Sequence, residues 1–322
     1  MRLYTKDEIQ HAVRLNTTVI DSIESAFTSL ETKKVTMPPI MRIDIPANNG
    51  EVDIKSAYIE GYDSFAVKLS SGFFNNAKLG LPSGNGMMIL ISTTTGEPQA
   101  ILADNGLLTD IRTAAAGAVA AKHLSREDSR TVGIIGTGSQ SRYQLQALTH
   151  VRPIEQVQVY GRSREKAEQY KSFIEKSLNV SVDIKGTPYE AVCNSDIIIT
   201  ATPATEPVLM AEWLSEGQHI TAMGSDAEHK QELETNVLEK ADLVVCDVKE
   251  QSLILGELRS CLNSEIINQV HELGEITSGQ KPGRTGYNQI TVCDLTGTGV
   301  QDTQIARYAY QQLNFKEDDD NE

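Results

Sequence analysis

Thr131 to Ser163, TVGIIGTGSQSRYQLQALTHVRPIEQVQVYGRS, reads as a strand, a glycine turn, a helix and a second strand. Val132, Ile134 and Ile135 make a short run of the residues that suit a buried strand. Gly136-Thr-Gly138 breaks the run, and from about Gln140 the chain turns helical, with Leu145, Ala147 and Leu148 on one side. Gly136 permits a tight turn, and Gly138 lets backbone approach a pyrophosphate resting on the N–H groups of the helix N-terminus. A glycine pair alone says little. Here a strand precedes it, a helix follows, and Gln156 to Tyr160 supplies the next strand at βαβ spacing. Ser141 replaces the third glycine of the usual fingerprint and is small enough for close helix–strand packing. The competing reading is a βαβ unit that binds nothing.

Moving outward toward the C-terminus, the second strand ends in Gly161-Arg-Ser-Arg164. An acid at this place would accept from a ribose 2′-OH and favour NAD. None stands there, so Arg162, Ser163 and Arg164 point to a 2′-phosphate and hence NADPH. Alternatively, these residues only cap the helix predicted from Glu165 to Leu178. Ser195 to Ala201 is a nearly continuous apolar strand, as a parallel sheet buried on both faces requires. It ends in Thr202-Pro203, over which a nicotinamide half would lie. His219 to Gly224 is another such strand, and Asp226 follows at its C-terminal end, the edge where ligands bind open parallel sheets. That makes Asp226 the carboxylate best placed for chemistry, while His229 reads as a surface residue. Ala241 to Asp247 and Gln289 to Leu295 are further strands, with a polar helical stretch between them. Thr296 to Asp302 opens a last helix carrying Ile305, Ala306, Ala309 and Leu313 on one side, and the acidic tail Glu317 to Glu322 is expected to be disordered.

Toward the N-terminus the pattern differs. Thr5-Lys-Asp-Glu8 is a capping box, and Asn16 or Thr17 caps a helix with Val19, Ile20, Ile23, Ala26, Phe27 and Leu30 at helical spacing. Ile40 to Ile45 alternates, placing Arg42 opposite Met41 and Ile43. Glu51 to Ser70 reads as two strands. Lys68 lies inside the apolar run of the second, so it either snorkels to an edge or is held by an anionic partner. Lys55, on the first, reads as a solvated strand lysine. If its ammonium entered a pocket it would hold a carboxylate. Gly80 to Gly86 is a small-residue loop suited to close approach of a ligand, and Met87 to Ala103 is a hairpin. An Ala-rich helix follows, running to Leu124. Arg112 falls at its start, where the helix dipole disfavours a cation, so an anionic partner is expected. Ser125 to Arg130 is a charged linker.

With 44 acidic and 29 basic residues among 322, the net charge of −15 argues against nucleic acid and anionic membranes as partners. Cys193, Cys246, Cys261 and Cys293 form no CxxC pair and have no metal-ligand spacing, so no metal site is expected. MRLYTKDEIQ has no apolar leader segment, and no apolar run is long enough to cross a bilayer. A cytoplasmic protein is the expectation.

Four motifs, in order, resemble the ornithine cyclodeaminase/μ-crystallin family: Asp110-Ile-Arg-Thr-Ala-Ala115, the Gly136 to Ser141 turn, Gly224-Ser-Asp226 with Lys230-Gln-Glu-Leu233, and Asp294-Leu-Thr-Gly297 with Gln301-Asp302. The resemblance implies an α/β protein with a central Rossmann domain, 125–298, and an α+β substrate and dimerisation domain, 1–124 with 299–322. By position it implies that Arg42, Lys68 and Arg112 bind a substrate α-carboxylate and that Asp226 and Lys68 are catalytic. The cofactor candidates are Gly136, Gly138, Ser139, Gln140, Arg162, Ser163 and Thr202, with Ser83 and Thr113. The implied chemistry is hydride transfer between a nicotinamide, NADPH in preference to NADH, and Cα of an α-imino or α-amino acid. Reduction of Δ1-pyrroline-2-carboxylate to L-proline is the expected reaction, in a homodimer. Iminosuccinate reduction and ornithine cyclodeamination stay open, as does a crystallin-like NADPH-binding protein. Asp226 speaks against the last, because the crystallin carries arginine there.

Overall fold

Thr5 and Glu8 satisfy each other's backbone at the start of the first helix, as their spacing predicts, in a computed structural model that describes residues 1–320. The N-terminal part runs β1 (Arg2–Thr5), α1 (Lys6–Ala12), α2 (Thr17–Thr32), β2 (Val35–Thr36), β3 (Met41–Ile45), β4 (Gly50–Ile59), β5 (Ser64–Phe73), β6 (Gly84–Ser92), β7 (Pro98–Ala103) and α3 (Leu107–Leu124). Then follow β8 (Thr131–Ile135), α4 (Ser139–Leu148), β9 (Gln156–Tyr160), α5 (Arg164–Ser177), β10 (Ser181–Ile184), α6 (Pro188–Val192), β11 (Ile197–Thr200) and β12 (His219–Ala222). The chain closes with α7 (Thr235–Lys240), β13 (Leu243–Cys246), α8 (Lys249–Leu255), β14 (His271–Glu272), α9 (Leu273–Thr277), β15 (Thr291–Asp294) and α10 (Gly299–Asp320). Two compact units result. Residues Met1–Arg112 and the chain from Thr298 make the first, and Thr113–Gly297 the second. The first boundary falls inside α3, where the sequence reading has it after the helix.

In the first unit the sheet order is β1-β7-β6-β5-β4-β2, with β3 also on β4. Because side chains alternate along a strand, the register sorts residues by face. Ala57 and Ile59, Ala66, Met88 and Leu90, and Ala100 and Leu102 share the buried face. Helix α10 packs there against β4 and β5, and also on α2. A Cβ on Gly299 would lie 2.3 Å from Ser56 O, so only glycine lets the helix start that close. Thr303 then enters the β4–β5 ladder, its hydroxyl donating to Ala57 O at 2.8 Å and accepting from Ala66 N at 3.1 Å. The opposite face is also apolar, with the cross-strand row Met41, Ile54, Leu69, Met87 and a second row Val67, Ile89, Ile101, Leu3.

The second unit is a parallel sheet in the order β10-β9-β8-β11-β12-β15-β13-β14, a doubly wound arrangement whose order reverses between β8 and β11. Its strands bury both faces. Ile197 and Ile199 pack with Leu145, Tyr170 and Ile174 on one side, while Ile198 packs with Leu209, Leu238 and Val292 on the other. That two-sided burial explains the unbroken apolar run. Sequence reasoning missed β1, β2, β10 and β14, short strands of two to four residues in which no period can be seen. Helix α10 continues through the acidic stretch to Asp320, against the expected disordered tail, whose last two residues lie outside the described ones. Among the described residues, no helix is long and apolar enough to cross a membrane.

Candidate functional site

Beyond Ile135 the chain turns on Gly136, whose φ of +121° favours glycine. A Cβ there would sit 2.5 Å from Ala201 O, so the turn also packs against the end of β11. Gly138 is the N-cap of α4, and nothing lies within 4 Å of where its Cβ would be. The result is a cleft of about 1160 Å3 with Gly136, Gly138, Ser139, Arg162, Ser163 and Thr202 in its walls. This exceeds the roughly 300–1,000 Å3 typical of drug-sized ligands and fits an extended dinucleotide laid across a helix N-terminus. Gln140, Ser83 and Thr113 do not line it. Ser83 belongs to the first unit, where its carbonyl accepts from Phe73 N, and the Thr113 carbonyl accepts from Gln144 Nε2 at 2.9 Å.

At the far end of the cleft, the Ser163 hydroxyl caps α5, accepting from Lys166 N at 3.3 Å, and Arg164 is engaged by Glu168 at 2.9 Å. The capping role is therefore real for Ser163. Arg162 is exposed and lines the cleft together with Arg142 and Lys166, against Glu206 as the one acid among the described lining residues.

The ends of β11 and β12 are joined by a group that sequence reasoning did not single out. Glu232 is wholly buried and accepts from Thr200 Oγ1 (2.7 Å), Thr202 N (2.6 Å), Thr202 Oγ1 (2.7 Å) and Gly224 N (2.7 Å). Burial raises its pKa, and these bonds hold it back. Glu257 accepts from Glu232 N and Leu233 N, and Asp294 accepts from Glu257 N and Ser252 Oγ. Burial, aided by the Asp294 charge, pushes Glu257 up to about 9, and burial pushes Asp294 to about 7. The available signal was Lys230-Gln-Glu-Leu233, a motif without an evident role until the fold brought it under the strand ends. Asp226 differs from these acids. Its side chain is 43% exposed, and it pairs with the nearly buried Lys230 at 2.6 Å. His229 is exposed, as expected.

In the first unit the structure brings Lys68 and Arg112 together on Asp302. Lys68 Nζ lies 2.9 Å from Asp302, and Arg112 Nε lies 3.0 Å from it. Arg112 also donates to Gln301 Oε1 at 2.9 Å. Burial works against ionisation of Asp302, yet Lys68 and Arg112 outweigh it and hold the carboxyl below its ordinary range. Burial, with Arg112 beside it, lowers Lys68 to about 7. The anionic partner expected for both cations is thus Asp302, on the last helix. Arg42 stands apart from this cluster, paired with Asp44, Glu51 and Asp53. Lys55 corrects the sequence reading. It is only 7% exposed and lies directly opposite Lys68 in the β4–β5 register, so it is no solvated strand lysine.

Known proteins resemble this chain over nearly its whole length. The model of the ornithine cyclodeaminase/mu-crystallin family matches residues 2–317. An uncharacterized cyclodeaminase of Sinorhizobium fredii is 49% identical over 97% of this chain and 95% of its own. Delta(1)-pyrroline-2-carboxylate reductase of Bacillus cereus is 34% identical over 97% of this chain and 96% of its own. Among solved structures, Delta(1)-pyrroline-2-carboxylate reductase of Thermococcus litoralis, in complex with NADH and L-proline, superimposes with a TM-score of 0.93 at 32% identity, covering 98% of each chain.

Proposed function

Because the chain belongs to the ornithine cyclodeaminase/mu-crystallin family, we propose that it is an oxidoreductase reducing an α-imino acid with a nicotinamide dinucleotide, Δ1-pyrroline-2-carboxylate to L-proline being the reaction. The observation that carries this reading is the buried Lys68–Asp302–Arg112 cluster, in which two cations share one carboxylate. A substrate α-carboxylate supplies the second anion, and its arrival favours the protonated form of Lys68. Arg42 assists if it exchanges one of its own carboxylates for that of the substrate. Fixing the carboxylate fixes Cα, and orientation of this kind contributes roughly 7–11 kcal/mol to lowering a barrier.

The bound cofactor supplies hydride. Gly136, Gly138 and Ser139 would hold its pyrophosphate, Thr202 its nicotinamide half, and Arg162 with Ser163 the ribose end, which favours NADPH over NADH. Asp226 exchanges the accompanying proton with the substrate nitrogen. We assign substrate binding to the first unit and nucleotide binding to the second. The apolar outer face of the first unit's sheet, exposed at Leu3, Met41 and Met87, suits a second copy of the chain and supports a homodimer. Four cysteines without disulfides suit a reducing compartment such as the cytoplasm.

The test is cofactor oxidation by purified protein with Δ1-pyrroline-2-carboxylate, using NADPH and NADH, with ornithine plus NAD as the cyclodeaminase control. Rapid oxidation of NADPH with proline as product supports the reading. Proline and ammonia from ornithine, with no imine reduction, would replace it.

A further inference from the structure

We propose that Arg142, on the helix after the glycine turn, is the principal cation for a phosphate monoester at the ribose end of the cleft, with Lys166 beside it. The choice between NADPH and NADH is then made from α4 more than from the strand end at Arg162. The proposal rests on the reading of this cleft as a nicotinamide dinucleotide site.

Arg142 is the fourth residue of α4, which begins at Ser139. A cation in the first turn opposes the helix dipole, so the position is unfavourable unless an anion is near. The protein supplies none. Among the described residues Arg142 pairs with no acid, and its Nε is buried without a hydrogen-bond partner. A half-buried guanidinium with an unmet donor carries a desolvation cost that a ligand oxygen offsets.

The side chain is nevertheless held in place. Its guanidinium lies over the Phe173 ring of α5, 4.9 Å from the centroid. Stacking engages the flat face and leaves the N–H edge, whose fork matches two oxygens of a phosphate. The stack also sets a direction. Lys166, Gln169 and Phe173 recur at helical spacing along α5 and line the cleft together with Arg142, Arg162 and Ser163. The pyrophosphate seat lies one turn back, at Gly136, Gly138 and Ser139, whereas Arg142 reaches across to the helix that Ser163 caps, at the ribose end. A phosphate there also meets the positive end of α5. Ser163 Oγ accepts from Lys166 N, which leaves its O–H to donate. Of the three cations, Arg162 and Lys166 are exposed and Arg142 is half-buried. Exposed charges are screened by water and salt, so Arg142 carries the larger share. NADH has a hydroxyl where NADPH has the phosphate and gains little from this edge.

The experiment measures dissociation constants of NADPH and NADH for the full chain by fluorescence titration, in wild type, Arg142→Met, Arg142→Lys and Phe173→Leu. Adenosine 2′,5′-bisphosphate and adenosine 5′-monophosphate serve as competitors that carry or lack the monoester. In Arg142→Met, NADPH binding is expected to weaken by roughly ten- to a hundredfold and NADH binding by less than about twofold. Arg142→Lys recovers part of the loss, because charge returns without the planar fork. Phe173→Leu keeps the cation but removes its platform and should weaken NADPH severalfold, an arm that stands even if Arg142→Met does not fold. Equal losses for both dinucleotides would place Arg142 on the pyrophosphate or in the fold alone and overturn the proposal. So would an Arg142→Met that keeps the wild-type preference for NADPH, or a wild type that binds both dinucleotides equally. A wild type that binds neither would sink the dinucleotide reading instead, while the two adenosine phosphates would still decide the subsite.

Discussion

In the first unit the buried cations Lys68 and Arg112 gather on one carboxylate, 2.9 and 3.0 Å from Asp302, with Lys55 buried opposite Lys68, while a second buried acid, Asp104, accepts from Leu108 N. In the second unit the buried ionisable groups are mainly carboxyls, Glu232, Asp247, Glu257 and Asp294, each accepting from backbone N–H groups. A buried cation there, Arg152, is likewise satisfied internally, donating to Ser125 Oγ and to the carbonyls of Ala121 and Lys122. Burial is equal; the partners differ. Backbone donors cannot leave, so the acids of the second unit tie its strand ends together. Lys68 and Arg112 of the first unit are held by a side chain, Asp302, and on the proposed reading they gain from a substrate carboxylate. Asp226 departs from this pattern, since it is half-exposed and pairs with the Lys230 side chain at 2.6 Å.

The strongest challenge to the contrast is Asp226→Asn. Loss of a proton-exchanging carboxylate is expected to cost roughly 10²–10⁴-fold in turnover, with NADPH affinity in a fluorescence titration unchanged. A variant of near-normal activity would return Asp226 to the merely structural acids. Next comes Glu232→Ala. It strands the donors of Thr202 and Gly224, so urea unfolding should register a loss of about 3 kcal/mol or more, a structural penalty that no substrate repairs.

Two pH experiments sharpen the comparison, because the signs differ. Lys68, lowered to about 7 from 10.5, is charged below that pH and neutral above it. Substrate KM should stay flat on the acid side and climb above pH 7, by up to about tenfold per unit, and Lys68→Arg should remove the inflection because arginine stays charged. Glu257, raised to about 9 from 4.5, is neutral in the fold at pH 7 and ionised in the unfolded chain. Folding therefore takes up a proton between those values, and its contribution to stability is lost as pH rises through about 9. In Glu257→Gln the decline of Tm between pH 5 and 9 should be shallower than in wild type; an unchanged slope would mean that the carboxyl is ionised in the fold. The smallest effect is expected for Arg162→Ala. Being exposed, it should weaken NADPH binding by about tenfold at most and leave NADH binding alone.

Much of this was legible from local pattern. The strand, turn and helix from Thr131 to Leu148 follow from β-branched residues, a glycine that needs positive φ and a helical period, all of which act within a few residues. The misplacement of Arg112 at a helix start and of Lys68 in an apolar run announced an anion without naming it. Asp302 could not be found that way, since it stands 234 residues from Lys68 and meets it only because Gly299 lets α10 lie against β4. Lys55 was misread for a related reason. Whether a strand residue faces solvent depends on what covers that face, and here the cover comes from the far end of the chain. The sequence by itself determined the kind of fold, the dinucleotide cleft and Asp226 at the strand edge, because those rest on short-range sterics and on the order of elements. Only the tertiary structure decided which charges are buried together, because desolvation and ion pairing depend on distances that the chain sets by folding back on itself.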